Sequence, residues 1–285
     1  MIGIVLVNKP SGITSSKVVV KLRHMAKIKR VGHLGTLDPL ASGVLPVCIG
    51  KATRLFDLFL KKQKTYIAHV EFGKLTDSLD IDGNVIETND IIPTKEQIEA
   101  VLPNFIGEQE QIPPIYSSKV VAGVRAYKLA REGKDVELKP SLITIYDIKL
   151  LDKINDTTYS FEITCSSGTY IRSIARDLGY ALSTLGTISK LTRTKTGNFY
   201  LENCIDLDKL NEDNIKENIV PLKTVLKDYD KIDLSIKQEQ DLFCGKSVII
   251  KKNDGTYILH QNDEVVGLGV INNNKLKLST SLKED

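Results

Sequence analysis

The chain has 285 residues, 41% of them hydrophobic and 26% charged, with a formal net charge of +3; this is the balance of an ordinary globular protein and excludes a disordered or collagen-like one. So mild a positive charge is compatible with a polyanionic partner without arguing for one. Four cysteines, Cys48, Cys165, Cys204 and Cys244, stand too far apart for a zinc motif or a disulfide framework, so no metal and a reducing, cytoplasmic setting are expected.

The opening run Met1-Ile2-Gly3-Ile4-Val5-Leu6-Val7-Asn8-Lys9-Pro10 lacks the basic start of a signal peptide and reads as a buried strand. No apolar run approaches the roughly 20 residues of a membrane-spanning helix, so no membrane role is expected. Ser15-Ser16 can cap a helix to about Ile28, with Val19, Leu22, Met25 and Ala26 on one face. Along it Lys21, Arg23, His24, Lys27, Lys29 and Arg30 crowd together without an acid, either a phosphate-facing strip or a solvated helix face. A Gly- and Pro-punctuated segment follows at 32–43. The pattern then predicts a buried strand over 44–49, a helix over 52–60, and a strand over 66–72 with Tyr66, Ala68, Val70 and Phe72 on one side. Thr94 opens a helix with Ile98, Val101 and Leu102 inward, and 141–151 and 158–165 are two more β-rich runs. From Thr169 a helix carries Ile171, Ile174, Ala175 and Leu178 as its core stripe, leaving Arg172 and Arg176 off it. Strands and helices do not alternate regularly, so the fold class is α+β with a mixed sheet and flanking helices.

Near Asp230 the texture changes. Short apolar runs at 248–250, 257–259, 265–271 and 275–279 are separated by turn signals, with Asn253-Asp254-Gly255 and Asn272-Asn273-Asn274 as hairpin turns. These predict a separate, small β-barrel-like module of about 55 residues. The division is set at 1–228 and 229–285.

Within the 32–43 segment, Asp38 is the candidate reactive group. It lies among Gly32, Gly35 and Gly43, and Pro39 biases it out of the helical region, so its carboxylate is displayed from a turn. Read by residue type alone, an Asp-Pro step also does no more than close a tight turn. Two further patterns lead nowhere. Gly245-Lys246-Ser247 lacks the upstream glycine of a phosphate loop, and Ser78-Leu79-Asp80-Ile81-Asp82-Gly83 lacks the closing Glu of a calcium loop and reads as a surface turn.

The run Gly32-His33-Leu34-Gly35-Thr36-Leu37-Asp38-Pro39-Leu40-Ala41-Ser42-Gly43-Val44-Leu45-Pro46, followed by Gly50-Lys51-Ala52-Thr53-Arg54, resembles the signature of the bacterial TruB family of tRNA pseudouridine synthases. Asn8-Lys9-Pro10-Ser11-Gly12, Lys64-Thr65-Tyr66, Thr76-Asp77 through Asp82-Gly83, Pro113-Pro114-Ile115-Tyr116-Ser117-Ser118-Lys119 and Ser167-Gly168-Thr169-Tyr170-Ile171-Arg172 resemble the same family in the same order. The resemblance implies a pseudouridine-synthase-type, mainly antiparallel sheet, with a tail similar to the PUA RNA-binding domain.

The activity so implied is isomerisation of uridine in the T-loop of tRNA (position 55), needing no cofactor and no protein partner, by a monomer that binds the T-arm. Asp38 is implied as the nucleophile, adding to uracil C6 or assisting departure of the base from ribose. Arg172 is the implied partner, since an opposite charge favours an ionised carboxylate in a dry pocket. Tyr66 is implied to pack on the base, Tyr170 to line the pocket, His33 to fill the space the nucleotide vacates, and Leu191 to supply an apolar contact. Lys9, the basic strip and Lys190-Leu191-Thr192-Arg193 are candidates for phosphate contacts that offset the cost of extruding the nucleotide. A non-catalytic RNA-binding protein and a carboxylate-dependent hydrolase are the rival readings, and within the pseudouridine class the runner-up is the archaeal and eukaryotic relative that works with guide RNA and protein partners.

Overall fold

The computed structural model describes residues 1–60, 62–117, 119–121, 123–133 and 138–283. Ser118 of the 113–119 motif thus lies outside the described residues. Along Lys64–Phe72 burial alternates from end to end, the period-two pattern of a strand with one face on the core. Gly3–Lys9 and Ser42–Ile49 are buried nearly throughout, because elements cover both of their faces.

Among the described residues ten strands join in one sheet. Its path runs Ile205–Asp206, Gly3–Lys9, Ser42–Ile49, Gly186–Thr196, Lys64–Phe72, Thr158–Cys165, Ser141–Lys153 and Gly107–Gln111, with Val31–His33 and Phe199–Tyr200 off this path. Neighbours are antiparallel except at two seams, Gly3–Lys9 with Ile205–Asp206 and Ser42–Ile49 with Gly186–Thr196. This is the mixed, mainly antiparallel α+β sheet that the sequence implies. The second parallel seam positions the site. Gly43 pairs with Arg193, and Arg193 pairs on its other side with Tyr66, so a single strand separates the Asp38 segment from the tyrosine strand. A Cβ at Gly43 would stand 2.2 Å from the Arg193 carbonyl oxygen, and φ there is +103°; only glycine meets both conditions without strain.

Helix Ser15–Ala26 buries Val18, Val19, Leu22 and Ala26. Its cap is Thr14, which accepts from the Lys17 N–H, and not the Ser15-Ser16 pair, because Ser15 turns inward toward the Asp38 segment. The 52–60 segment is split into a 3₁₀ turn, Gly50–Leu55, and a short helix, Phe56–Leu60. Lys95–Val101 starts at Thr94 with a reciprocal bond from Gln97, as a capping box does. Helix Ile171–Ala181 presses Ile171, Ile174, Ala175 and Leu178 into the main core. No helix among the described residues is long and apolar enough to cross a membrane.

The tail forms a five-stranded sheet in the order Lys231–Asp233, Gly255–Gln261, Glu264–Asn272, Lys275–Ser281, Val248–Ile249. Asn273 and Asn274, at φ 52° and 60°, make the hairpin turn that their residue types predict, and Asn262 and Asp263 make another that was not anticipated. Asn253-Asp254-Gly255 does not close a hairpin. It joins the edge strand Val248–Ile249 to Gly255–Gln261, and the two do not pair. Strand Lys231–Asp233 and helix Ile236–Phe243, capped by Ser235, were not anticipated either. The tail has its own apolar cluster around Ile232, Leu242, Leu259 and Ile271. A second cluster is shared, with Ile258, Leu268 and Leu282 of the tail packed against Ile4, Val44, Leu55, Phe59 and Leu222.

Candidate active site

Asp38 is displayed from a turn held on several sides. Its carbonyl accepts the Ala41 N–H at 3.1 Å, the closure of a β-turn with proline at its second position. Just before it, the Ser15 hydroxyl donates to the Leu37 carbonyl at 3.0 Å and accepts the Leu37 N–H at 2.9 Å. Just after it, the Pro39 carbonyl accepts the Gly12 N–H at 2.8 Å, and Ser11 Oγ donates to the Leu40 carbonyl at 2.7 Å. The two readings of the Asp-Pro step therefore coexist, since the backbone closes a turn while the side chain reaches out of it.

The carboxylate reaches Arg172. Oδ2 of Asp38 lies 2.9 Å from Nε of Arg172, a charge contact in which the Nε–H is not aligned as a hydrogen bond. Arg172, the first buried charge of its helix, is only 5% exposed in its side chain. Its Nη1 donates to the Ser78 carbonyl at 2.8 Å and lies 3.4 Å from Oδ2 of Asp80, while Nη2 donates to the Tyr116 carbonyl at 3.0 Å. The surface turn expected at 78–83 is thus corrected: Asp80 is buried because its carboxylate pairs with this guanidinium. Burial pushes the Asp80 carboxyl up, while the Ser78 hydroxyl and then Arg172 pull it down.

Asp38 stands between two cavities. One of about 350 Å³ takes in Tyr66, Leu191, Tyr170 and Lys64; another of about 860 Å³ is walled by Asp77, Asp80, Arg125, Tyr127 and Arg172. His33, Ser117 and Asp38 line both. Tyr66 sits on the core-facing side of its strand, and burial pushes its phenol up to about 12 although Arg193 pulls the other way. Leu191 is buried on the neighbouring strand, opposite Ala68. Tyr170 precedes the first turn of its helix, its backbone fixed by Gln111, which accepts its N–H at 2.8 Å and donates to its carbonyl at 3.1 Å. Burial, with Arg193, lowers the His33 imidazole, and its Nδ1 is buried without a hydrogen-bond partner. Six of the seven candidate residues, Asp38, Tyr66, Tyr170, Arg172, His33 and Leu191, therefore meet around these two spaces.

Lys9 is the exception, and the phosphate contact expected of it is corrected. It is wholly buried, and its ammonium donates to the carbonyls of Ile13, Pro10 and Pro39 at 2.7, 2.9 and 3.2 Å. All three of its N–H groups are engaged, so none is left for RNA. Burial brings it down to about 8, with Asp38 opposing. Arg193 is likewise buried, donating to the carbonyls of Val44, Gly35 and Thr36 at 2.8, 3.2 and 3.3 Å. Both cations hold the Asp38 segment in place rather than face solvent. The 21–30 strip is exposed, and Lys27 there pairs with Glu212 at 2.7 Å. Sequence reasoning missed Ser15, Lys64, Asp80 and Ser117; Lys64, Asp80 and Ser117 stood inside motifs already singled out, which was the available signal. Among the described residues no group of three or more His, Cys, Asp and Glu side chains could hold a metal ion.

The Asp38 turn and the Tyr66 strand close on one cavity, and comparison with known proteins places the chain in a class of enzyme. Residues 23–171 fit the family model described as TruB family pseudouridylate synthase (N terminal domain), and residues 172–232 fit that of the tRNA pseudouridylate synthase B C-terminal domain. The chain is 40% identical over 289 residues to tRNA pseudouridine synthase B of Clostridium novyi, covering 99% of this chain and 100% of that one. It is 41% identical to the enzyme of the same name from Rickettsia bellii, over 94% of each chain. A solved H/ACA RNP bound to a substrate RNA containing 2′-deoxyuridine holds a chain of the same fold, with a TM-score of 0.74 at 22% identity, covering 99% of this chain and 85% of that one. The chain belongs to the TruB family of pseudouridylate synthases.

Proposed function

We propose that this enzyme isomerises uridine to pseudouridine in tRNA, at position 55 of the T-loop, with Asp38 as the nucleophile. The reaction breaks the bond from ribose C1′ to uracil N1, turns the base and joins C1′ to C5. Asp38 engages the extruded nucleoside at uracil C6 or at ribose C1′. Arg172 neutralises and orients the carboxylate in a cleft that excludes water. Tyr66 stacks on the uracil, with Leu191 and Tyr170 completing the pocket and His33 taking the place the nucleotide leaves in the RNA. The exposed 21–30 strip contacts phosphates of the T-arm. Residues 1–228 act as the catalytic unit and 229–285 as a PUA-like RNA-binding unit. No electrons are exchanged with a second molecule, so the reading needs no cofactor, and the enzyme works alone as a monomer.

The observation that carries this reading is the Asp38 carboxylate, 2.9 Å from buried Arg172, at the mouth of a cavity lined by Tyr66 and Leu191. The test is tritium release from C5-labelled uridine in an unmodified tRNA transcript and in the T-arm stem-loop alone, with no other protein added. Release from both, with the product at position 55, is the expected result. Binding of tRNA without release would favour the non-catalytic RNA-binding reading, and activity that requires a guide RNA would overturn action alone.

A further inference from the structure

Four cations are buried around the cleft. Lys9, Lys64, Arg172 and Arg193 are all buried, whereas Asp38 and Asp80 are the carboxylates that meet them. Three of the cations grip loop carbonyls or pair with Asp38 and Asp80. Lys64 also holds carbonyls, but without a carboxylate partner among the described residues. Its Nζ donates to the carbonyls of Lys62 at 3.0 Å and Leu60 at 3.3 Å, which leaves one of an ammonium's three donors without a partner among the described residues. It lines the 350 Å³ cavity together with Tyr66 and Leu191. A Cβ on Gly35 would stand 3.8 Å from Nη1 of Arg193 and 3.9 Å from Cε of Lys64, so the two cationic side chains converge beneath that residue. Buried like charges with no carboxylate of their own are costly. Burial and Arg193 bring Lys64 down to about 8, so it still carries its charge in neutral solution.

Such a cost, kept at a cavity wall, suits a site that receives negative charge. We infer that Lys64 is a catalytic residue, donating its remaining N–H to a uracil carbonyl and stabilising the anionic base that forms once Asp38 has reacted. This deepens the proposed function and rests on it. The inference holds for either route of Asp38. Addition to C6 forms a C6–O bond and drives the C5–C6 electron pair through C4 onto O4. Attack at C1′ forms an O–C1′ bond, and the C1′–N1 pair leaves on N1 and spreads to O2 and O4. In both, the ring bears one negative charge that uridine lacks until the carboxylate leaves again. In the first route C1′–N1 breaks as C1′–C5 forms and the C6–O bond then breaks; in the second the O–C1′ bond breaks as C5 takes C1′. Loss of the C5 proton with protonation of N1 completes either. A donor placed for charge that appears only during reaction lowers the barrier without tightening substrate binding.

The experiment uses full-length Lys64→Met and Lys64→Arg with unmodified tRNA, measuring single-turnover rate, tRNA Kd and melting temperature. Lys64→Met should lose about 10²–10³-fold in rate with Kd changed less than about threefold. Lys64→Arg, which keeps a donor cation, should recover most of the rate. Lys64→Met strands the carbonyls of Lys62 and Leu60 and should melt somewhat earlier than wild type, whereas Lys64→Arg, which keeps donors there, should melt close to it. Wild-type rate in Lys64→Met, or rate and Kd weakened in parallel, would overturn the inference; so would a Lys64→Arg as slow as Lys64→Met with both melting early, which marks a merely structural lysine. Wild-type enzyme that makes no pseudouridine in the same assay would instead overturn the parent reading, and this one with it.

Discussion

In the cleft, Lys9, Arg172 and Arg193 are buried and grip backbone carbonyls from distant parts of the chain. In the C-terminal tail, Lys231 and Lys246 remain exposed beside Asp233 and Asp241. The residue types are the same and the energetics are not. An exposed pair gains little over its separate contacts with water and is screened by salt. A buried cation whose partners are carbonyls cannot be removed without stranding those acceptors away from water. Charge in the cleft therefore fixes the loops, and the charges of Lys231 and Lys246 in the tail are available for solvent or a ligand.

That contrast can be broken or sharpened by substitution. The largest expected effect is from Asp38→Asn, which should bind tRNA with unchanged Kd yet lose about 10⁴-fold or more in turnover; tritium release would detect any remainder. Asp80→Asn should follow, because Arg172 then loses the carboxylate that fixes its far side. A misplacement of that kind costs on the order of 10²-fold in rate, and single-turnover kinetics should show it with tRNA affinity retained. Arg193→Met strands the carbonyls of Gly35, Thr36 and Val44 and should lower stability by roughly 3–5 kcal/mol, read by urea unfolding.

Titration should give a smaller effect. Lys9 and Lys64 both stand at about 8 in the folded chain against 10.5 ordinarily. Between those values the unfolded chain holds the protons and the folded chain does not, so each lysine contributes stability that rises with pH across that window. Lys9→Met should remove part of that rise in unfolding experiments across the window. The smallest effect is expected from Lys246→Ala in the tail, where melting should be indistinguishable from wild type. A marked loss there would erase the distinction between the two regions.

Asp38 was legible because its neighbours are conformationally special: the glycines and Pro39 exclude a helix or strand interior, and the structure shows the resulting turn. The strand pattern around Tyr66 was legible for a similar reason, since period two is a local property. Lys9 was misread because nothing near it in sequence announces that the Pro39 carbonyl folds back onto its ammonium. Asp80 was set aside as a surface turn because its partner, Arg172, lies on a helix far along the chain. Local sequence carries backbone angles and amphipathic faces, whereas the pairing of buried charges is settled only when remote segments meet. In the tail, Asn272-Asn273-Asn274 closed the hairpin its types favour, but Asn253-Asp254-Gly255 did not, because the neighbouring strand Val248–Ile249 pairs with Lys275 and Leu276 at the far edge instead.

The missing side chain at position 43 has a consequence of its own. Because the Arg193 main chain fills the volume that a methyl group would need, the gap between the Asp38 turn and the Tyr66 strand is gauged by two backbones in direct contact. Side chains around the pocket can thus change shape over generations without altering that gauge, whereas a single added carbon at its seam would wedge the two halves of the cleft apart.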